Sequence, residues 1–237
     1  MQQIAYIATR EPSYSRVSIL RKALNERYQV DEFLSEYRKY SVRLLHVVFQ
    51  VLKAWITGKL KRQDAIVVGF FAQPIYPLVR LLYRGPIVAD AYFSIYNTMV
   101  EDKQKSKPGT LLAKLCYWLD QHMLRTAECC LTDTLTHAEY FREAFQSPNA
   151  RIERLWISAE NKLLGEAYSP GPTTEKFNVF FWGGFIPLQG VETIVAAANL
   201  LKGDSRIRFT IYGEGQTLAD CEQYVQQNDT DNVAFCG

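Results

Sequence analysis

The feature that most restricts the fold is an alternation along the chain. Short apolar runs rich in β-branched residues recur, and each leads into a segment whose apolar residues have helical spacing. Residues 4–9 precede 15–27, 65–69 precede 74–83, 86–90 precede 111–126, and 129–132 precede a helix that begins at Asp133-Thr134 and runs through Ala144. Strands joined through helices are parallel, and strands that are apolar throughout are covered on both faces. The expected class is α/β, with a doubly wound parallel sheet. Weaker runs at 29–34 and 151–157 add two strands. An apolar helix is expected over 42–56, and the polar-aromatic stretch 91–98 with the charged stretch 101–109 reads as loop.

The alternation breaks over 158–176, where Tyr168-Ser-Pro-Gly-Pro172 and Thr173-Thr174 have the composition of a linker, and then restarts. The expected organisation is a Rossmann-like domain over 1–165, a linker over 166–176, and the first half of a second such domain over 177–237. This second part reads as strand 177–182, helix 191–202 stopped by Gly203, strand 206–212, helix 218–227 and strand 233–236. Three strands are about half of a doubly wound domain, so the sequence is expected to be truncated within it.

Where the second cycle opens, the apolar run Val179–Trp182 meets Gly183 and Gly184, then Pro187, then Gln189-Gly190 at the mouth of a helix. A strand that breaks on glycines and re-enters a helix presents unpaired backbone N–H groups to an anion, reinforced by the helix dipole. Gly183, Gly184, Gln189 and Gly190 are the expected phosphate contacts. Gly213-Glu214-Gly215, a G-x-G turn after the next strand, is the expected nucleotide contact.

Other classes are disfavoured. A formal net charge of +2 is too mild for a nucleic-acid protein, whose basic surface is usually pronounced. The five cysteines include no C-x-x-C pair and the three histidines add no metal-ligating set, so free thiols and no metal are expected. No signal-peptide pattern opens the chain and no run reaches the ~20 apolar residues of a membrane span. The expectation is a cytoplasmic protein, or one peripheral on the inner face of the membrane. For the latter, Arg38, Lys39, Arg43, Lys53, Lys59, Lys61 and Arg62 crowd residues 38–62 beside Phe49 and Trp55, with no acidic residue between Glu36 and Asp64. Such a basic amphipathic helix suits an anionic membrane surface, and equally a core-packed helix with solvated basic ends.

Asp90 closes a strand at the edge where open α/β sheets take ligands, which makes it a candidate catalytic or acceptor-side carboxylate. Arg10 and Arg16, at and after the end of the first strand, are candidate acceptor contacts for an anionic group. Asp133 is expected to cap a helix, and His137 to be an exposed helical histidine.

The run Phe181-Trp-Gly-Gly-Phe-Ile-Pro-Leu-Gln-Gly190, its apolar helix and Ile211-Tyr-Gly-Glu-Gly215 together resemble the family-4 nucleotide-sugar glycosyltransferases of GT-B architecture. Pro86-Ile-Val-Ala-Asp90 with Ser94 and the helix start Asp133-Thr-Leu-Thr-His-Ala-Glu-Tyr140 support it. The resemblance implies transfer of a sugar from a nucleotide-diphosphate donor, held chiefly by the second domain, to an acceptor hydroxyl met by the first. Retention at the anomeric carbon, a role in surface polysaccharide or glycolipid synthesis, a glycan or lipid-linked acceptor and no separate cofactor also follow from it. Ser94 joins Arg10 and Arg16 as an expected acceptor contact.

Two departures stand out. The family usually places an arginine after the first glycine of the turn and a lysine before the later one, where this chain has Gly184 and Gln189. Its pair of donor-gripping glutamates lies beyond the Gly-Glu-Gly turn, past Gly237. A non-catalytic reading therefore stands beside the enzymatic one: a truncated or split-enzyme subunit that binds acceptor, membrane or a partner chain.

Overall fold

The structure is a computed structural model that describes residues 2–158 and 176–237, and it divides into two compact units, Met1–Gly165 and Glu166–Gly237. Of the expected linker, 166–176, all but Lys176 lies outside the described residues.

In the first unit the order is β1 (Gln3–Ile7), α1 (Ser15–Asn25), β2 (Gln29–Phe33), α2 (Tyr40–Ile56), β3 (Ala65–Val68) and α3 (Tyr76–Leu82). It continues with β4 (Ile87–Asp90), α4 (Leu111–Thr126), β5 (Cys129–Thr132), α5 (Leu135–Ala144) and β6 (Ile152–Arg154). The strands form one parallel sheet in the order β2-β1-β3-β4-β5-β6. Alternate residues of β1 separate its two faces. Ala5 and Ile7 join Val47, Val51, Val79, Met123 and Phe141 from α2 to α5, whereas Ile4 and Tyr6 join Val17 of α1. Connections leave β1 and β3 in opposite directions, so a topological switch point lies between these strands.

Three local expectations change. The helical segment expected from residue 74 begins as α3 at Tyr76 and carries Pro77 in its first turn, where a missing N–H costs nothing. Part of the expected loop winds into a π-helical turn, Asn97–Asp102. It is anchored by Asp120 of α4, which accepts from Ser94 Oγ (2.7 Å) and from the amides of Ile95 and Tyr96. Thr134, not Asp133, caps α5, accepting from the His137 amide.

The basic stretch 38–62 is also reshaped. Arg43 is buried, donating to the carbonyls of Thr9 and Tyr37 and pairing with Glu11 at 2.8 Å, so it contributes no surface charge. Lys59 pairs with Asp31 at 2.7 Å. The outer face of α2 is apolar nonetheless, with Leu45 69% and Phe49 63% exposed alongside Val42 and Ile56. No described helix is long and apolar enough to cross a membrane. All five cysteines are free, and four of them are buried.

The second unit contains β7 (Phe177–Trp182), α6 (Val191–Leu200), β8 (Ile207–Tyr212), α7 (Leu218–Gln227) and β9 (Val233–Cys236), with its strands parallel in the order β7-β8-β9. Its core is small: Phe185, Val191, Val195, Ile211 and Cys221.

Candidate active site

In a parallel sheet every strand delivers its following loop to the same edge, and ligands of open α/β sheets bind at that carboxyl edge. Each unit places its sequence-predicted residues there.

In the first unit β4 ends on Asp90, and Arg16 reaches it from α1. The guanidinium donates through Nε to one carboxylate oxygen (2.7 Å) and through a terminal nitrogen to the other (2.8 Å). Both side chains are buried, that of Asp90 completely. Burial pushes the Asp90 carboxyl up, while Arg16 and the Tyr92 amide pull it back. The fork geometry is that of an ionised pair. Arg16 also lies 4.7 Å from the ring centre of Tyr92, and its remaining terminal nitrogen faces the Leu155 carbonyl. Asp90 thus fixes a guanidinium and has no oxygen open to solvent.

Arg16 and Tyr92 line a cavity of about 380 Å³ together with Tyr14, Ile19, Leu20 and Trp156. Its wall is aromatic and aliphatic with one cation, a composition suited to a ligand with an apolar body or a sugar face. Arg10 stands apart from it, over the rings of Tyr14 and Phe70 and 3.6 Å from Glu11. Ser94 is buried and donates to Asp120, so its hydroxyl belongs to the loop anchor.

Three features escaped the sequence reading. Tyr92 and Trp156 are aromatic positions just past β4 and β6, and that placement was the available signal. Phe71, just beyond β3 at the switch point, has a left-handed backbone (φ 64°), unusual for a bulky residue. Its carbonyl accepts from Thr9 Oγ1 at 2.9 Å, and its ring contacts Tyr40 and Phe93.

In the second unit the structure brings the two glycine turns together. Gly183 donates to the Tyr212 carbonyl, Phe185 to the Glu214 carbonyl, and Gly213 to the Cys236 carbonyl. Gly213 (φ 145°) lies directly against the Gly183 carbonyl, and Gly215 (φ 154°) against that of Phe185, so a side chain at either position would collide with backbone. These two glycines serve close loop packing. Gly190, left-handed at φ 63°, turns the chain from the short 3-10 helix Pro187–Gln189 into α6. Its amide donates to Pro187.

Among the described residues the Gly184 amide has no internal acceptor, and neither do the Val191 and Glu192 amides that open α6, whereas Thr193 donates to the Gly190 carbonyl at 3.0 Å. Gly184 and Gln189 are exposed, and a side chain at Gly184 would meet nothing closer than 4.0 Å. An anion-sized set of donors is thus present. Its electrostatics are not those of a phosphate clamp: the nearby charges are acidic, Glu192 in the first turn of α6 and Glu214. The basic residues of this unit, Lys176, Lys202, Arg206 and Arg208, all lie at the opposite, amino edge of the sheet.

No protein-family model and no curated protein matches the chain. Solved structures do. Sucrose-phosphate synthase from Thermosynechococcus elongatus superposes with a TM-score of 0.65 at 13% identity, covering 100% of this chain and 70% of that one. HepE of Anabaena, in complex with UDP and glucose, gives 0.60 at 12% identity over 99% of this chain and 69% of its own. WaaG, a glycosyltransferase of lipopolysaccharide biosynthesis, gives 0.54 at 12% identity, covering 99% and 69%. The chain has the GT-B glycosyltransferase fold, with its six-stranded and three-stranded parallel sheets as the two Rossmann-like parts.

Proposed function

We propose that the protein is a glycosyltransferase that moves a sugar from a nucleotide-diphosphate sugar to an acceptor hydroxyl. The observation that carries this is the pair of interlocked glycine turns at the carboxyl edge of β7 and β8, within a fold shared with glycosyltransferases. In such a reaction negative charge develops on the diphosphate as the glycosidic bond breaks, and donors already in place lower the barrier. The amides of Gly184, Val191 and Glu192 offer such donors, with Gln189 as an amide donor in place of a cation. Gly183, Gly190, Gly213 and Gly215 shape that site, and Glu214 lies beside it.

The acceptor is assigned to the cavity beside Arg16, whose apolar and aromatic lining favours a glycan stacked on Tyr92 and Trp156 or a lipid-linked acceptor. Asp90 acts by holding Arg16, and Arg10 is a second cation at that edge. Membership of family 4, retention of configuration and a place in surface polysaccharide or glycolipid synthesis rest on the motif resemblance. No cofactor beyond the donor is invoked. A cytoplasmic chain peripheral on the inner membrane face is supported by the exposed apolar stripe of α2 between Lys39 and Lys61.

One observation favours a second reading, a non-catalytic or split-enzyme subunit. The donor-side edge carries no lysine or arginine among the described residues, and this leaves the diphosphate charge unmatched.

Calorimetric titration of the chain with UDP-glucose and other nucleotide-diphosphate sugars, with UDP or GDP release measured in parallel, separates the two. Binding with release supports the transferase. Binding without turnover supports the subunit, and binding of none removes the donor assignment. Sedimentation with anionic vesicles at low salt tests the α2 surface; vesicles that leave the protein in solution would sink it.

A further inference from the structure

A second cavity of the first unit, about 520 Å³, opens where β2 delivers its following loop to the carboxyl edge of the sheet. Arg21 of α1, Glu32 of β2, His46 of α2 and the loop residues Ser35, Glu36 and Tyr37 line it, and none of them belongs to the cavity beside Arg16. Where that cavity has one cation in an apolar wall, this one sets a cation, two carboxylates and a hydroxyl around the ring of Tyr37.

A relay from α2 sets the Ser35 hydroxyl. The Gln50 side chain donates to the Leu34 carbonyl at 3.0 Å, a contact only its nitrogen can make, and that nitrogen also lies 3.4 Å from His46 Nε2. An amide nitrogen only donates, so Nε2 is the acceptor and the imidazole hydrogen sits on Nδ1. Nδ1 lies 3.0 Å from Ser35 Oγ, which accepts from it. The imidazole is steadied further by Tyr37, edge to face at 5.3 Å. Ser35 is only 4% exposed, and its side chain has no other partner among the described residues. Its own hydroxyl hydrogen is therefore left for a group inside the cavity.

The charges narrow the class of ligand. Arg21 faces Glu32 at 3.5 Å, and Asn25 donates to the same Glu32 oxygen at 2.8 Å. Glu36 is exposed and meets no cation among the described residues. Two carboxylates against one guanidinium disfavour a phosphate, a nucleotide or any other anion. A pyranose ring needs what remains: each of its hydroxyls both donates and accepts, and one face of the ring is apolar. Glu32 and Glu36 accept, Arg21 and Ser35 donate, and Tyr37, 54% exposed, offers a ring for the apolar face.

We propose that this cavity is a subsite for one neutral sugar ring of a glycan, separate from the cavity beside Arg16. The proposal goes beyond the transferase reading, because it requires no donor and serves a non-catalytic subunit equally.

The test is titration of the full chain with the methyl glycosides of glucose, galactose, mannose and N-acetylglucosamine, and with methyl glucuronide as an anionic counterpart, followed by protein-detected NMR. A neutral glycoside is expected to bind, at least about tenfold more tightly than the glucuronide. Tyr37→Ala is expected to weaken it about tenfold, and Tyr37→Phe, which keeps the ring, by less than about threefold. Ser35→Ala and Glu36→Gln are each expected to cost roughly three- to tenfold. Glu36 and Tyr37 are exposed, so their variants are expected to keep the wild-type thermal midpoint.

Binding of no neutral glycoside, a preference for the glucuronide, or binding that Tyr37→Ala leaves unchanged overturns the subsite. None of these outcomes depends on nucleotide-sugar binding or turnover, which decide the transferase reading by themselves.

Discussion

Arg16 and Asp90, 74 residues apart in sequence, meet through two hydrogen bonds of 2.7 and 2.8 Å at the carboxyl edge of the sheet, with both side chains buried. Removing one partner of such a pair strands a charge in the interior and costs about 3–5 kcal/mol. Asp90→Asn is expected to destabilise the first unit by that order in urea melts. The double variant Arg16→Met with Asp90→Leu is expected to recover most of the loss, because no charge is then left unpaired.

The second prediction concerns the interlocked turns. A methyl group at Gly213 would meet the Gly183 carbonyl in a backbone conformation that side chains rarely adopt. Gly213→Ala is expected to cost ~2 kcal/mol or more in chemical denaturation and to weaken nucleotide binding in parallel. Gly203→Ala, in open space with no unusual φ, is expected to be within about 0.5 kcal/mol of wild type.

The open space at Gly184 permits a gain-of-charge experiment. Gly184→Arg with Gln189→Lys restores the two cations that the motif resemblance implies, and neither position is crowded. Hydrogen bonds to charged groups contribute about 1.5–3 kcal/mol each, so UDP affinity measured by calorimetry is expected to rise by roughly ten- to a hundredfold for each of the two cations that engages the diphosphate. Unchanged affinity would mean that the diphosphate does not lie at this turn.

Asp120 sets a pH dependence. It is buried and accepts from Gln73, Ser94, Ile95 and Tyr96, yet burial outweighs these bonds and pushes its carboxyl up to about 6. A carboxyl whose folded value lies above its ordinary 3.8 favours folding in its protonated form. That contribution is fully present below about pH 4 and is lost as pH rises through about 6, amounting to ~3 kcal/mol. Asp120→Asn lacks it and loses acceptor capacity, at a further cost of about 1–3 kcal/mol. The stability advantage of wild type over the variant is therefore expected to shrink from pH 4 to pH 7 in urea titrations.

Where local chemistry decides, the sequence was easy to read. Helix α4 coincides with its expected bounds because Thr110 caps the first turn, although the face it buries is that of Ala113, Cys116 and Met123 and not that of Leu112 and Leu115, and β7 does so because its apolar run ends on Gly183. Long-range contacts were not legible. Arg43 looks like one more surface cation until the carbonyls of Thr9 and Tyr37 surround it. The turn at Asn97–Asp102 has no periodicity of its own and depends on a carboxylate more than twenty residues later. Likewise Asp133 and His137 read separately as a cap and a surface residue. Yet Asp133 Oδ1 and His137 Nδ1 lie 3.0 Å apart, and Thr134 takes the cap in place of Asp133.

The segregation of charge in the second unit bears on how its ligands are to be looked for. Lys202, Arg206 and Arg208 lie beside the amino ends of strands six residues long, roughly 20 Å from the glycine turns. An anion held by charge alone, such as heparin or sulfate, finds this unit's cations only at that remote pole, where Arg206 is already paired with Asp204, and salt will strip it away whether or not the turns are occupied. Only a probe that senses the turns themselves, such as the fluorescence of Trp182 beside Gly183, distinguishes a bound donor from counterions gathered at the wrong end.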